Sequence, residues 1–442
     1  MSVSMEGSVR DRWRSSLIGR MVLLGGGTAM GQGVVLLATP AITRLYSPEQ
    51  MGLFGLLTTF LGLWAVVSNL RFDQAILSAG RMEEGAQLLV VALVSSIGVA
   101  LFSAAVFLGM VYWNFLGYAR LPLWTASLAG AGILLIGAFT ALRSWAARAG
   151  NIAPVTRGLI AQGIGRATIP ILAAPFGLGW LGLALGEVCG RLFGVGTLAR
   201  SARTAFERAR ATLTRPALQE LLRKYAKFPA IALPSAFLDA LTTALPIPLI
   251  ASAFGEATAG HYLLVITVSG APAALIANSL ADVLHVRLSE LHEASPRAAR
   301  MLFRASLRRL TLVSLAIYGP FALLAPLVFG PLFGEAWTRA GLFFAVLVPL
   351  QISGLVASPA GRVLSVVNRP EQKLFLDLIR VFAPIVAFAL LPRVGAADWV
   401  CMAVFSAALT LAYILTCVRA MRVVGLPAAE SWLTLTSSRG LP

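Results

Sequence analysis

The sequence predicts an all-α integral membrane protein of about 12 transmembrane helices in two six-helix lobes. Three observations carry this. Of 442 residues, 58% are hydrophobic and only 12% charged, whereas soluble domains average about 25% charged. The apolar residues fall in runs of about 20, enough to cross a hydrocarbon core roughly 30 Å thick. The basic residues gather on alternate loops, as expected when positive charge is retained on the cytoplasmic side.

Taken in order, Met21–Ile42 is an uncharged run and reads as the first crossing. The polar, basic stretch before it argues against a cleavable signal peptide. Helices are expected near 17–43, 52–79, 86–116, 122–148, 152–175 and 178–199. A polar segment at 201–226 reads as a cytoplasmic linker with an interfacial amphipathic helix. A second set is expected near 227–254, 258–288, 301–330, 337–366, 372–392 and 396–420. The predicted organisation is therefore an N-terminal lobe over 1–200, the linker over 201–226 and a C-terminal lobe over 227–442.

The loops orient these helices. Arg10, Arg12, Arg14, Arg20, Arg81, Arg148, the run from Arg200 to Lys227, Arg369 and Lys373 share one side. Arg44, Arg120, Arg339 and Arg393 fall on the other. Both termini are thus expected in the cytoplasm. The same distribution accounts for the net charge of +17 without nucleic acid as a partner, since no zinc finger or aromatic-studded basic strand is present. Cys189, Cys401 and Cys417 lie in apolar runs and read as buried thiols rather than a disulfide framework. Tyr46, Trp113, Tyr118, Trp124, Trp180 and Trp337 lie near helix ends on the outer side, where aromatic belts form.

An internal repeat is visible. Pro40, Ile42, Tyr46, Gly52 and Phe54 are followed, at a constant offset of 208, by Pro248, Ile250, Phe254, Gly260 and Tyr262. Such repeats are common in transporters and favour two lobes related by an axis along the membrane normal.

Three segments carry a resemblance: Gly25 Gly26 Gly27 Thr28 Ala29; Ile42 Thr43 Arg44 Leu45 Tyr46 Ser47 Pro48 Glu49 Gln50 Met51 Gly52; and Leu70 Arg71 Phe72 Asp73 Gln74 Ala75 Ile76. In order, spacing and residue type they resemble the opening of polysaccharide transporters. These form the O-antigen flippase-like branch of the multidrug, oligosaccharidyl-lipid and polysaccharide exporter superfamily. The resemblance implies a multi-pass protein of the bacterial inner membrane that flips an undecaprenyl-pyrophosphate-linked oligosaccharide for O-antigen, capsule or exopolysaccharide. It also implies a polysaccharide polymerase and chain-length proteins as partners beside the membrane lipids.

Charged residues inside apolar runs are the informative ones, because each costs a few kcal/mol in lipid unless it faces protein or water. They are Arg71, Asp73, Arg166, Glu187, Arg191, Asp239, Asp282, Arg362, Asp377 and Arg380. Counting rise from the nearer helix end places Arg166, Glu187, Arg191 and Asp239 near mid-membrane. Arg71, Arg166 and Arg191 are expected to bind substrate, because a guanidinium stays charged and grips phosphate with a planar fork. The bland alternatives are that Arg191 neutralises Glu187 at i, i+4, that Arg71 pairs with Asp73 or snorkels, and that Arg380 pairs with Asp377.

Asp239, Asp282 and Glu187 are the candidate ion-coupling carboxylates, for a proton or sodium ion. Asp239 has Ser235 one turn away and Thr242 and Thr243 nearby, and its alternative role is a structural hydrogen bond. Asn278, Asp282 and His285 share a helix face, with His285 read more readily as interfacial than as a ligand. Gly182, Gly186, Gly190 and Gly194 recur every fourth residue, which reads first as close helix packing and second as a moving interface.

No cofactor or metal is implied. Gly25 Gly26 Gly27 is not followed by Gly-Lys-Ser/Thr, and neither His-Glu-x-x-His nor Gly-x-Ser-x-Gly occurs. A membrane-embedded polymerase or acyltransferase would be expected to carry a long outer loop, against outer loops of about ten residues or fewer here. A transporter is expected, not an enzyme, with a cation-coupled multidrug exporter as the other transport reading.

Overall fold

A backbone surrounded by lipid must satisfy its own hydrogen bonds, so each apolar run closes into a helix. The computed structural model describes residues 17–270, 295–366 and 370–423, helical nearly throughout and without a strand among them. Eight of the described helices are long and apolar enough to cross a membrane. The chain is an all-α integral membrane protein. Its residues divide into two compact units, one ending at Leu263 and the other beginning at Leu264.

The first unit opens with α1 (Leu17–Leu45) and α2 (Pro48–Ala65), joined by a short turn. That turn is specified locally. Ser47 caps α2, its hydroxyl accepting from the Gln50 amide while Gln50 Oε1 accepts from the Ser47 amide, and Pro48 supplies the first helical residue. Within α1, Thr39 and Thr43 donate back to the Val35 and Thr39 carbonyls around Pro40.

The helix expected over 52–79 does not run through. It ends at Ala65 and resumes as α3 (Phe72–Ser78), with Leu70 and Arg71 in the left-handed region at φ 49° and 65°. The cause is a competing set of partners. Ser68 donates to the Ala65 carbonyl, the buried Asn69 amide donates to the Gly137 carbonyl, and Ser96 donates to Asn69 Oδ1. A buried amide that finds tertiary partners no longer favours the helical register. Gly137 is required here, since a Cβ would collide with Ser96 and Asn69.

Next come α4 (Met82–Tyr112), a 3-10 turn (Phe115–Arg120), α5 (Thr125–Arg148), α6 (Ala153–Ala173) and α7 (Trp180–Ala199). Aromatic edges fill the α2–α4 seam. Phe107 packs edge-on against Phe60 and Tyr118, and the Tyr118 hydroxyl donates to the Leu56 carbonyl at 3.1 Å.

The linker folds as two short helices, α8 (Arg203–Thr212) and α9 (Arg215–Lys224). Ala202, Ala205, Ala209 and Leu221 join the buried core that Ala86, Leu89 and Trp145 also line. Gln87 donates to the Thr212 carbonyl, and the Glu84 carboxylate accepts from Lys224 at 2.8 Å and from Tyr225 at 2.9 Å. The bond from Glu84 raises the Lys224 ammonium above its ordinary range, and burial together with Glu84 raises the Tyr225 phenol.

The chain continues through a π turn (Phe228–Ala232), α10 (Leu233–Ala244), α11 (Pro246–Phe254) and a helix, α12, described over 256–270. Where the sequence suggests a lobe boundary at the 201–226 linker, the compact units part after Leu263. The reason is packing: α10 and α11 lie against α2, and α11 also lies against the turn before α5.

In the second unit the long helices are α13 (Pro296–Phe333), α14 (Thr338–Val366), α15 (Pro370–Ile385) and α16 (Asp398–Val423). Tyr318 donates to the Ser269 carbonyl at 2.7 Å and Gln351 donates to the Ser269 hydroxyl at 2.8 Å. Arg339 pairs with Asp398 at 2.6 Å, and Arg380 lies 4.6 Å from the centre of the Tyr413 ring.

Candidate functional site

The glycine stripe of α7 decides where the charges meet. At Gly190 a Cβ would stand 2.9 Å from Arg166 Cγ and from the Gln162 carbonyl, and at Gly186 it would stand 2.7 Å from the Pro170 ring. Gly194 faces Gln162, and Gly182 faces Tyr46 and Ala173. Without side chains on that face, α7 lies directly on α6, the packing role expected of such spacing. Tyr46 reinforces it by donating its hydroxyl to the Pro170 carbonyl at 2.7 Å.

That closeness brings three expected site residues together. Glu187 on α7 is buried, with 3% of its side chain exposed, and one oxygen meets Arg166 Nε of α6 at 2.6 Å. Its other oxygen accepts from Arg191, one turn further along α7. Two guanidiniums on one carboxylate leave the triad with a net charge of +1. Both arginine side chains remain partly exposed, at 35% for Arg166 and 23% for Arg191. Arg191 Nε and Gln162 Nε2 are buried with no hydrogen-bond partner among the described residues. The group therefore has cationic surface and donors left over, an arrangement suited to an anion with several oxygens.

Arg71 is not part of this triad. It sits in the left-handed turn before α3, half-buried, and its Nε has no hydrogen-bond partner among the described residues. Asp239 is exposed on α10, while the side chain of Ser235 lies outside the described residues. Asp282, with Asn278 and His285, lies outside them too, as do the side chains of Arg362 and Asp377. Among the described residues no cluster of His, Cys, Asp and Glu could hold a metal.

Helical spacing pairs Arg191 with Glu187, but nothing local in the sequence brings Arg166 to the same carboxylate. The only trace of that contact was the matched spacing of Gln162 and Arg166 opposite a glycine stripe. Nor does local spacing single out Asn69 as the residue that breaks the second helix. A buried amide inside an apolar run was the available signal.

The family model described as "Polysaccharide biosynthesis protein" matches residues 41–341. No curated protein matches the sequence. Among solved structures, an inward-facing multidrug resistance MATE family transporter of the MOP superfamily superposes with a TM-score of 0.66 at 14% identity, covering 95% of this chain and 96% of that one. The lipid II flippase MurJ, in an inward closed conformation, gives a TM-score of 0.67 at 10% identity, covering 95% and 94%. A MATE in complex with MaL6 gives 0.57 at 14% identity over 93% and 96%. At these identities the likeness is one of fold. With the family model spanning well over half of its length, the chain belongs to the polysaccharide biosynthesis protein family, as a multi-pass membrane protein with a transporter fold.

Proposed function

We propose that the chain flips an undecaprenyl-pyrophosphate-linked oligosaccharide from the inner to the outer leaflet of a bacterial inner membrane for surface polysaccharide synthesis. The observation that carries this is the Arg166–Glu187–Arg191 triad. A buried carboxylate organises two partly exposed arginines whose combined charge it does not cancel. A diphosphate, which brings more than one negative charge and bidentate oxygens, complements that surface better than the single delocalised cation of a typical drug. Arg71 adds a second guanidinium position for the passage of the same headgroup. The MurJ structure supports the reading by analogy, since that protein carries a lipid-linked substrate on a comparable fold.

Glu187 serves this site as the counter-ion that positions both arginines. With no net negative charge left there, cation coupling falls to Asp239, as the binding group for a proton or sodium ion. Asp282 remains a second carboxylate for that role. Alternating access would then move the headgroup while the polyprenyl tail stays in lipid. A polysaccharide polymerase and chain-length proteins would receive the product at the outer leaflet, with both termini of the flippase in the cytoplasm.

The test is transport in proteoliposomes loaded with a lipid-linked oligosaccharide, read as glycan reaching the opposite leaflet. Arg166→Ala combined with Arg191→Ala is expected to lower the initial rate at least tenfold while the protein stays monodisperse in detergent. Wild-type rates from a folded double variant would overturn the assignment. Unchanged surface polysaccharide together with raised drug sensitivity in a deletion strain would favour a cation-coupled multidrug exporter.

A further inference from the structure

One helix of the second unit is far longer than a membrane requires. α13 has 38 residues, about 57 Å of helix, whereas about 20 residues cross the hydrocarbon core. Counted back about 20 residues from Phe333, that crossing ends close to Val313. The turns before it, over 296–312, carry Arg297, Arg300, Arg304, Arg308 and Arg309, and no residue from Pro296 to Phe333 is acidic. At 100° per residue the first four arginines fall within about 80° of arc, and all five are exposed. Another side of the same turns is core, where Ala299, Phe303, Leu307 and Leu310 are buried.

Two observations bear on what covers this stripe. The first is that its charge is unmatched: among the described residues, none of the five arginines makes an ion pair. The basic linker differs, since Arg203 pairs with Glu207 and Lys224 with Glu84. The second is that the stripe continues along the helix as bare hydrocarbon. Leu315 stands about three turns beyond Arg304 on the same line of the helix, and it and Leu312 are more than half exposed, at 54% and 56%. From Leu312 to Phe333 the only polar side chains, Ser314 and Tyr318, are buried. A face with no polar group over a full crossing suits acyl chains and not a watery passage, so the arginines at its end stand where phosphates lie. The dimensions agree. Arg304 to Arg309 is about 7.5 Å of helix, against a headgroup layer of about 5–7 Å on each side of the core. Arg300 lies about 6 Å further out, within a Debye length of about 8 Å.

We propose that the arginine stripe of α13 is a binding site for resident anionic phospholipid. Phosphate diesters sit on Arg304, Arg308 and Arg309, and their acyl chains lie along Leu312 and Leu315. A guanidinium grips phosphate oxygens with paired donors and keeps its charge at the interface, and an anionic leaflet attracts juxtamembrane basic clusters. Retention of positive charge makes this the cytoplasmic leaflet. The site fixes the depth of the second unit in the bilayer and holds whatever cargo the transporter carries.

The experiment reads lipid binding and not transport. Full-length protein in an uncharged detergent is immobilised and titrated with radiolabelled dioleoylphosphatidylglycerol, with dioleoylphosphatidylcholine as the zwitterionic control. The wild type is expected to bind the anionic lipid saturably and at least tenfold more tightly, and to lose most of that preference in about 1 M salt. Arg304→Gln combined with Arg308→Gln and Arg309→Gln is expected to weaken phosphatidylglycerol at least tenfold and to leave phosphatidylcholine unchanged. Arg308→Gln alone, expected to weaken it about threefold, decides the matter should the triple variant fail to fold. Arg203→Gln combined with Arg208→Gln and Arg210→Gln removes the same charge from α8 and should leave the affinity within twofold. Wild-type affinity in the folded triple variant, or an equal loss in the α8 variant, would overturn the site. So would a wild type with no preference for phosphatidylglycerol, the result expected if an acidic protein covers the stripe. Displacement of the bound lipid by a tenth as much undecaprenyl pyrophosphate would make the stripe a cargo site and overturn the assignment to resident lipid. Flipping rates of the Arg166 and Arg191 variants are read separately, so either proposal can fail alone.

Discussion

The two units treat polar groups inside their bundles differently. The first clasps one buried carboxylate between two guanidiniums, Arg166 and Arg191, and leaves positive charge over. The second, among its described residues, joins its helices through neutral donors, Tyr318 and Gln351 on Ser269, and through a balanced pair, Arg339 with the buried Asp398, and sets Arg380 against the aromatic face of Tyr413. A neutral hydrogen bond adds stability without calling for a ligand, whereas an ion group out of balance in a low-dielectric interior has a reason to bind an anion. Among the described residues, a carboxylate shared by two guanidiniums occurs in the first unit, while the ion pair of the second is balanced one to one.

The comparison breaks most visibly at Glu187. Glu187→Gln leaves two facing guanidiniums without their carboxylate. Thermal unfolding in detergent should show a loss on the order of 3 kcal/mol, the low end for a broken buried pair because part of Arg166 stays exposed. An unchanged melting temperature would mean that the triad is not the organising contact of α6 and α7.

Asn69→Leu comes next. It removes the amide that holds the break between α2 and α3, with an expected cost of about 1–3 kcal/mol for the two buried hydrogen bonds lost, to Gly137 and from Ser96. The displaced Arg71 should then lower transport as well. Retained stability together with reduced transport would sharpen the division between scaffold and site.

In the second unit, Gln351→Leu exchanges a neutral bond to Ser269 for apolar surface, and its effect on stability should stay within about 1 kcal/mol. Transport should be unaffected, and a strong transport defect in a stable Gln351→Leu protein would erase the contrast between the units. The smallest effect is expected for Lys224→Ala. Its exposed pair with Glu84 should leave the melting temperature unchanged, since Tyr225 and the buried alanines of α8 still hold the linker to α4.

Much of the fold was legible from the chain. Uncharged runs gave the helices, and Ser47, Pro48 and Gln50 gave the turn before α2, because capping chemistry acts within three residues. The break after Ala65 was not legible. It depends on Asn69 reaching Gly137 and Ser96, which are distant in sequence. For the site, spacing alone suggested the Arg191–Glu187 pair, whereas Arg166 joins it only through the close approach that Gly186 and Gly190 allow.

The division between sequence and structure follows the range of the forces. Hydropathy, loop charge and local capping are properties of neighbours along the chain, so the sequence by itself determined a multi-helix membrane protein, its turns and its internal repeat. Which arginine meets Glu187, where α2 breaks, and that Gly52 touches the backbone of its own repeat were decided by tertiary contact. Glycine records only that something comes near, and the folded chain alone shows what does.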